Sequence, residues 1–128
     1  MRLPRWDCDM DEKLKVYQMN LEGEIEAVKM AEISRVIGQL IKGETYGLIL
    51  NFESAEHIQF TILQALVEEK KRIQSFGGDI RLAGMSDYLK NIFRTTGVLE
   101  AFQVFDTAQQ AARSFGVSKP ATNLPLGL

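Results

Sequence analysis

With 128 residues, the chain is one domain in size, and folding should bury roughly 65–70% of the surface its unfolded form exposes. Fifteen Lys+Arg against 17 Asp+Glu, with a pI near 5.4, leave no electrostatic footprint for a nucleic-acid backbone. One cysteine, Cys8, excludes an internal disulfide and points to a reducing compartment, and no apolar run approaches the ~18–20 residues of a membrane span.

The opening MRLPRWDCDMDEK has no apolar core, so it is not expected to be a secretory signal, and residues 1–12 are expected to be a lead-in or a first edge strand. Its Asp7, Asp9 and Asp11 imitate the first half of a calcium loop. That loop needs glycine at its sixth position and a bidentate glutamate at its twelfth, where this chain has Glu12 and Gln18. The stretch is therefore expected to be a solvated acidic lead-in, with no metal site.

From Tyr17 the residues alternate. Tyr17, Met19 and Leu21 take one face of a half-buried strand, Gln18, Asn20 and Glu22 the other, until Gly23 breaks the pattern. Between about Ala27 and Lys42 the spacing becomes helical through Met30, Ile33, Val36, Ile37, Leu40 and Ile41, with Gly43 as the stop. YGLILNF, residues 46–52, is continuously apolar, as a strand covered on both faces must be. ESAEH reads as the polar loop after it. A second helix is expected over about 60–75 with Ile62, Leu63, Leu66, Val67 and Ile73 as its stripe. Gly77-Gly78 turns the chain into a short strand, DIRLAG, since no phosphate-loop pattern accompanies it. Ser86 should cap a helix carrying Leu89, Ile92 and Phe93 and ending at Gly97. FQVF is expected as a last strand, and TAQQAARSFG as a last helix capped by Thr107. Residues 117–128, with two of the three prolines, are expected to be a flexible tail. Alternating strands and helices with short connections imply an α/β domain over residues 13–116. Its mainly parallel sheet should have about four to five strands, with helices packed against it.

Little here resembles catalytic machinery. Cys8 and His57 would form a nucleophile–base pair only if the fold joined them, and no oriented third group is apparent. No enzyme activity and no cofactor are expected. The stretch HIQFTILQ, residues 57–64, holds the one histidine and opens the second helix. At ~100° per residue, Thr61 points roughly 160° from the apolar stripe, onto the face of Gln64, Glu68 and Arg72. An exposed hydroxyl there either satisfies backbone N–H groups at the helix start or accepts a phosphoryl group.

Four pieces of this chain resemble the STAS domain, the fold of the bacterial anti-sigma factor antagonists. LEGEIE (21–26) is similar to that family's L-x-G-E-L-D turn, and LILNFES (48–54) to its central strand I-V-L-N-L-E-D. FGGDIRLAGMS (76–86) resembles its Gly-Gly turn and following strand. LKNIFRTTGVLEAFQVFDTAQQA (89–111) resembles the segment with V-x-R-L-F-x-x-S-G-L and the last helix. The resemblance implies a cytoplasmic regulatory module that binds an anti-sigma factor or serine-threonine kinase-like protein. In the family, the second serine of a D-S-S-G motif is phosphorylated by that kinase, and the dephosphorylated form binds it and releases the sigma factor. Gln59, Phe60, Thr61 and Ile62 occupy those four positions, which makes Thr61 the phosphoacceptor by resemblance. Gln59 lacks the aspartate's charge, and Phe60 and Ile62 add bulk where the family has serine and glycine. The partner-docking surface is expected to comprise His57, Ile58, Gln59, Phe60, Gln64 and Glu68. Phe60 serves there as an aromatic anchor, unless it turns inward to extend the core. Alternatives are a phosphorylation-independent scaffold or transporter accessory subunit, a small-ligand sensor using the nearby groove, and self-association into a homodimer.

Overall fold

The computed structural model describes residues 16–45, 47–117 and 120–121. The expectations for residues 1–12, including the acidic stretch and Cys8, lie outside the described residues, as does most of the tail. The order is β1 (Val16–Ile25), α1 (Ala27–Lys42), β2 (Gly47–Ile58), α2 (Phe60–Gln74), β3 (Asp79–Ala83), α3 (Asp87–Thr95), a 3₁₀ turn (Leu99–Ala101), β4 (Gln103–Phe105) and α4 (Ala108–Ser114). The strands form one sheet in the order β1-β2-β3-β4, and every neighbouring pair is parallel.

Two apolar layers flank that sheet. Leu48, Leu50 and Phe52 of β2 join Ile33 and Ile37 of α1, Leu63 and Leu66 of α2, and Phe93 of α3 in the main core. Ile49 points the other way, into a smaller cluster with Val16, Ala83 and the α4 residues Ala111 and Ala112. β2 is therefore apolar at every step from Leu48 to Leu50, because helices cover both of its faces. Phe93 sits at the centre of an edge-on aromatic chain, 5.9 Å from Phe52 and 6.4 Å from Phe102 between centroids. The expected caps are present: Ser86 Oγ accepts from Leu89 N at 3.2 Å, and Thr107 Oγ1 from Gln110 N at 3.1 Å.

Two strands run further than the sequence pattern suggests. β1 continues through Gly23 to Ile25, with register shifts on either side of that glycine. β2 extends to Ile58, so ESAEH is strand and not loop. The reason lies in pairing. β3 ends opposite Asn51, but β1 goes on matching β2 as Glu22↔Ser54, Gly23↔Ala55, Glu24↔His57 and Ile25↔Ile58. A two-stranded ribbon projecting past the sheet has little covering it, so its side chains are largely polar. Composition alone makes such a segment look like a loop. At β1's outer edge Ala121 pairs with Tyr17: Gln18 N donates to Ala121 O at 2.7 Å and Ala121 N to Val16 O at 2.9 Å. This part of the C-terminal segment thus lies against the sheet.

Candidate functional site

The ribbon sets where two helices begin. Ile25 and Ile58 are paired, and Gln59 N donates to Ile25 O at 3.2 Å, so α1 and α2 start side by side at the C-terminal pole of the sheet. In a parallel α/β sheet this pole is where loops and helix starts converge to form binding surfaces. Gln59 holds the extended N-cap conformation of α2, but its side chain makes no capping bond, and Ile62 N closes a tight first turn on Gln59 O at 3.1 Å.

Thr61 is exposed in that first turn, with Gln64, Glu68 and Arg72 continuing its face, while Ile62, Leu63, Leu66 and Ile73 are buried. Among the described residues its hydroxyl engages no hydrogen-bond partner, so it is not spent on capping the helix. It stands at the mouth of a groove of ≈ 390 Å³ between α1 and α2, walled by Ala27, Met30, Ala31, Ile62 and Ala65. Ser34 and Glu69 also line this groove. Ser34 Oγ donates to Glu69 Oε2 at 2.7 Å, and Arg72 donates through Nη2 to Ser34 O at 2.9 Å. Arg72 Nε lies 3.0 Å from Glu69 Oε1 but out of hydrogen-bond alignment, leaving that buried oxygen without a hydrogen bond among the described residues.

The remaining expected surface residues divide. Phe60 is 66% exposed, so it projects into solvent and does not extend the core. Gln59 is exposed, and Gln64 donates to Glu68 at 3.4 Å along the outer face. Ile58 is a correction. At 1% exposure it packs in the main core, because the ribbon's alternation turns its side chain inward immediately before the helix. His57 is half-buried at the end of β2, and its Nδ1 shares a 2.7 Å hydrogen bond with the Tyr88 hydroxyl, with the rings 5.8 Å apart and tilted by 31°.

Tyr88 and Val28 were not among the expected site residues. Each stands in the first turn of its helix and off the buried stripe, Tyr88 54% exposed and Val28 83%. An apolar residue off the stripe was a usable signal, but only the parallel sheet puts the starts of their helices at the same pole as the start of α2. Exposed carboxylates border them: Glu24 and Glu26 before α1, Glu56 beside His57, and Asp87 beside Tyr88. Among the described residues no cluster of His, Cys, Asp and Glu suits a metal ion, and no helix is long and apolar enough to cross a membrane. The arrangement sets the exposed Thr61 hydroxyl at a pole that also bears exposed apolar and acidic side chains, a composition suited to contact with another macromolecule.

Four parallel strands in one sheet, with helices packed on both faces, define a single α/β domain. The STAS domain family model matches residues 7–111, and the chain belongs to that family. Solved structures agree in fold. The STAS domain of a SulP transporter from Vibrio cholerae is 19% identical with a TM-score of 0.66, over 88% of this chain and 83% of its own. The anti-sigma factor antagonist SpoIIAA in its unphosphorylated form is 19% identical with a TM-score of 0.60, over 80% of this chain and 92% of its own. The phosphorylated form of SpoIIAA from Bacillus is 20% identical with a TM-score of 0.58, over 74% of this chain and 86% of its own.

Proposed function

We propose that this chain is a cytoplasmic, non-enzymatic protein-docking module of the anti-sigma factor antagonist kind, whose contact surface is the C-terminal pole of the sheet. Thr61 acts there as the phosphoacceptor of a partner switch. The observation that carries this reading is the exposed Thr61 hydroxyl in the first turn of α2, unengaged among the described residues, which the resemblance aligns with the family's phosphorylated serine. SpoIIAA, a fold relative, exists in phosphorylated and unphosphorylated forms. A phosphate on Thr61 adds about two negative charges, which the helix N-terminus tolerates. Enclosing that dianion in a contact requires stripping its water, so the unmodified form docks and the modified form is released. The partner is an anti-sigma factor or a serine-threonine kinase-like protein.

Incubation with a kinase of that type and ATP, followed by intact mass and fragment mapping, tests the switch. One phosphate on Thr61 and none on Thr61→Ala is the expected result; a phosphate elsewhere refutes it. Capture of the same kinase should fall at least about ten-fold for Thr61→Glu, corresponding to about 1.4 kcal/mol.

A second reading is a phosphorylation-independent scaffold or transporter accessory subunit. It is favoured by the bulk of Phe60 and Ile62 at positions where, by the resemblance, the family has small residues, and by the likeness to a transporter's STAS domain. Equal capture of wild type and Thr61→Glu supports this reading over the switch.

A further inference from the structure

We infer that the C-terminal pole docks a cationic protein segment carrying apolar side chains, with Phe60 and Tyr88 as its anchors and Glu24, Glu26, Glu56 and Asp87 as its rim. This rests on reading the pole as a docking surface and goes beyond it by assigning the partner's chemistry.

Large apolar side chains exposed on the described residues are Val28, Phe60, Phe76 and Tyr88. Three of these four stand in the first turns of α1, α2 and α3, at one end of the sheet, and only Phe76, past the end of α2, lies elsewhere. Scattered exposed apolar residues need no explanation, but convergence from three helices marks a contact region. The patch is also partly rigid. The 2.7 Å bond from His57 to the Tyr88 hydroxyl ties the first turn of α3 to the end of β2, so Tyr88 loses little further freedom on binding.

Charge selects the occupant. The rim carboxylates lie on the three segments that bear Val28, Phe60 and Tyr88. The nearby lysines are paired with other acids, Lys29 with Glu32 at 2.9 Å and Lys90 with Asp106 at 4.0 Å. A second copy docking through the same patch would set carboxylate against carboxylate, and an anionic membrane or nucleic acid would meet the same repulsion. Arginine or lysine answers the rim. Guanidinium also stacks on the faces of Phe60 and Tyr88, while neighbouring apolar side chains cover Val28. A cationic partner is drawn by the field of a Thr61 phosphate as well as by the rim. The phosphate's opposition to docking is then local, through bulk and lost hydration within the contact.

The test uses the full chain, isotope-labelled, titrated by NMR with three short synthetic peptides that share one leucine–phenylalanine stripe. Their polar positions are all arginine, all glutamine or all glutamate. The arginine peptide should shift amides in 24–28, 56–61 and 86–90 and bind at least about ten-fold tighter than the glutamate peptide, an advantage that shrinks as salt is raised. Phe60→Ser and Tyr88→Ser, both at exposed positions, should each weaken it several-fold, and Phe76→Ser should leave it unchanged. Equal binding of the arginine and glutamate peptides, shifts centred elsewhere, or unaltered binding by Phe60→Ser and Tyr88→Ser would each overturn the inference. The Thr61 experiments use another ligand and another substitution, so either proposal can fail alone.

Discussion

Gly84 holds the junction on which the site depends, and replacing it tests the account of how β2 outruns β3. Its φ is +72°, and an added Cβ would meet Asn51 Oδ1 at 2.7 Å, Glu53 N at 3.1 Å and Glu53 Cβ at 3.3 Å. Asn51 Oδ1 accepts from Glu53 N at 3.3 Å, and Asn51 Nδ2 donates to Asn20 Oδ1 at 3.0 Å. Gly84 cannot retreat easily, because its own N–H donates to Phe105 O at 3.1 Å. For Gly84→Ala the left-handed backbone costs about 1–2 kcal/mol. Displacing the Asn51 carboxamide loses about 1 kcal/mol for each hydrogen bond given up. The reduced entropy of the unfolded chain returns roughly 0.4–1 kcal/mol. The expected net loss is about 2–3 kcal/mol. Gly77→Ala is the matched control: its φ is +90° with nothing within 4 Å of the new Cβ, so it should lose only about 1 kcal/mol. Urea unfolding of both variants isolates the contact, and amide shifts through residues 51–57 report whether the ribbon has moved. Equal stabilities for the two alanine variants would refute the claim that Gly84 is fixed by close approach to β2.

Adjacent positions on either side of Gln59 should behave oppositely. Ile58→Ala empties a core site and should cost about 2–4 kcal/mol in denaturant titrations, whereas Phe60→Ser should stay within about 0.5 kcal/mol of wild type. Phe93→Ala removes the middle ring of the Phe52–Phe93–Phe102 chain, and calorimetry should show a loss of about 3–5 kcal/mol. Ser86→Ala deletes the cap on Leu89 N and should cost about 1 kcal/mol, with faster hydrogen exchange confined to the first turn of α3, while Ser86→Asp retains most of the stability.

Local chemistry made much of this molecule legible in one dimension. Period-two alternation from Tyr17, helical spacing from Met30 to Leu40, the run from Leu48 to Leu50 and the caps at Ser86 and Thr107 each report an interaction within a few residues or a face fully covered. Thr61's exposure followed from the wheel for the same reason, since a helix fixes directions from its own stripe. Pairing between distant segments was not legible. ESAEH became strand because β1 continues beside it, and Ile58 turned inward because that ribbon keeps alternating up to Gln59. Likewise Tyr88 and Val28 joined Phe60 only when the parallel sheet brought the starts of α1, α2 and α3 to one pole. Periodicity encodes which way a side chain faces within its own element; only long-range backbone pairing decides which elements end together, and so which side chains share a surface.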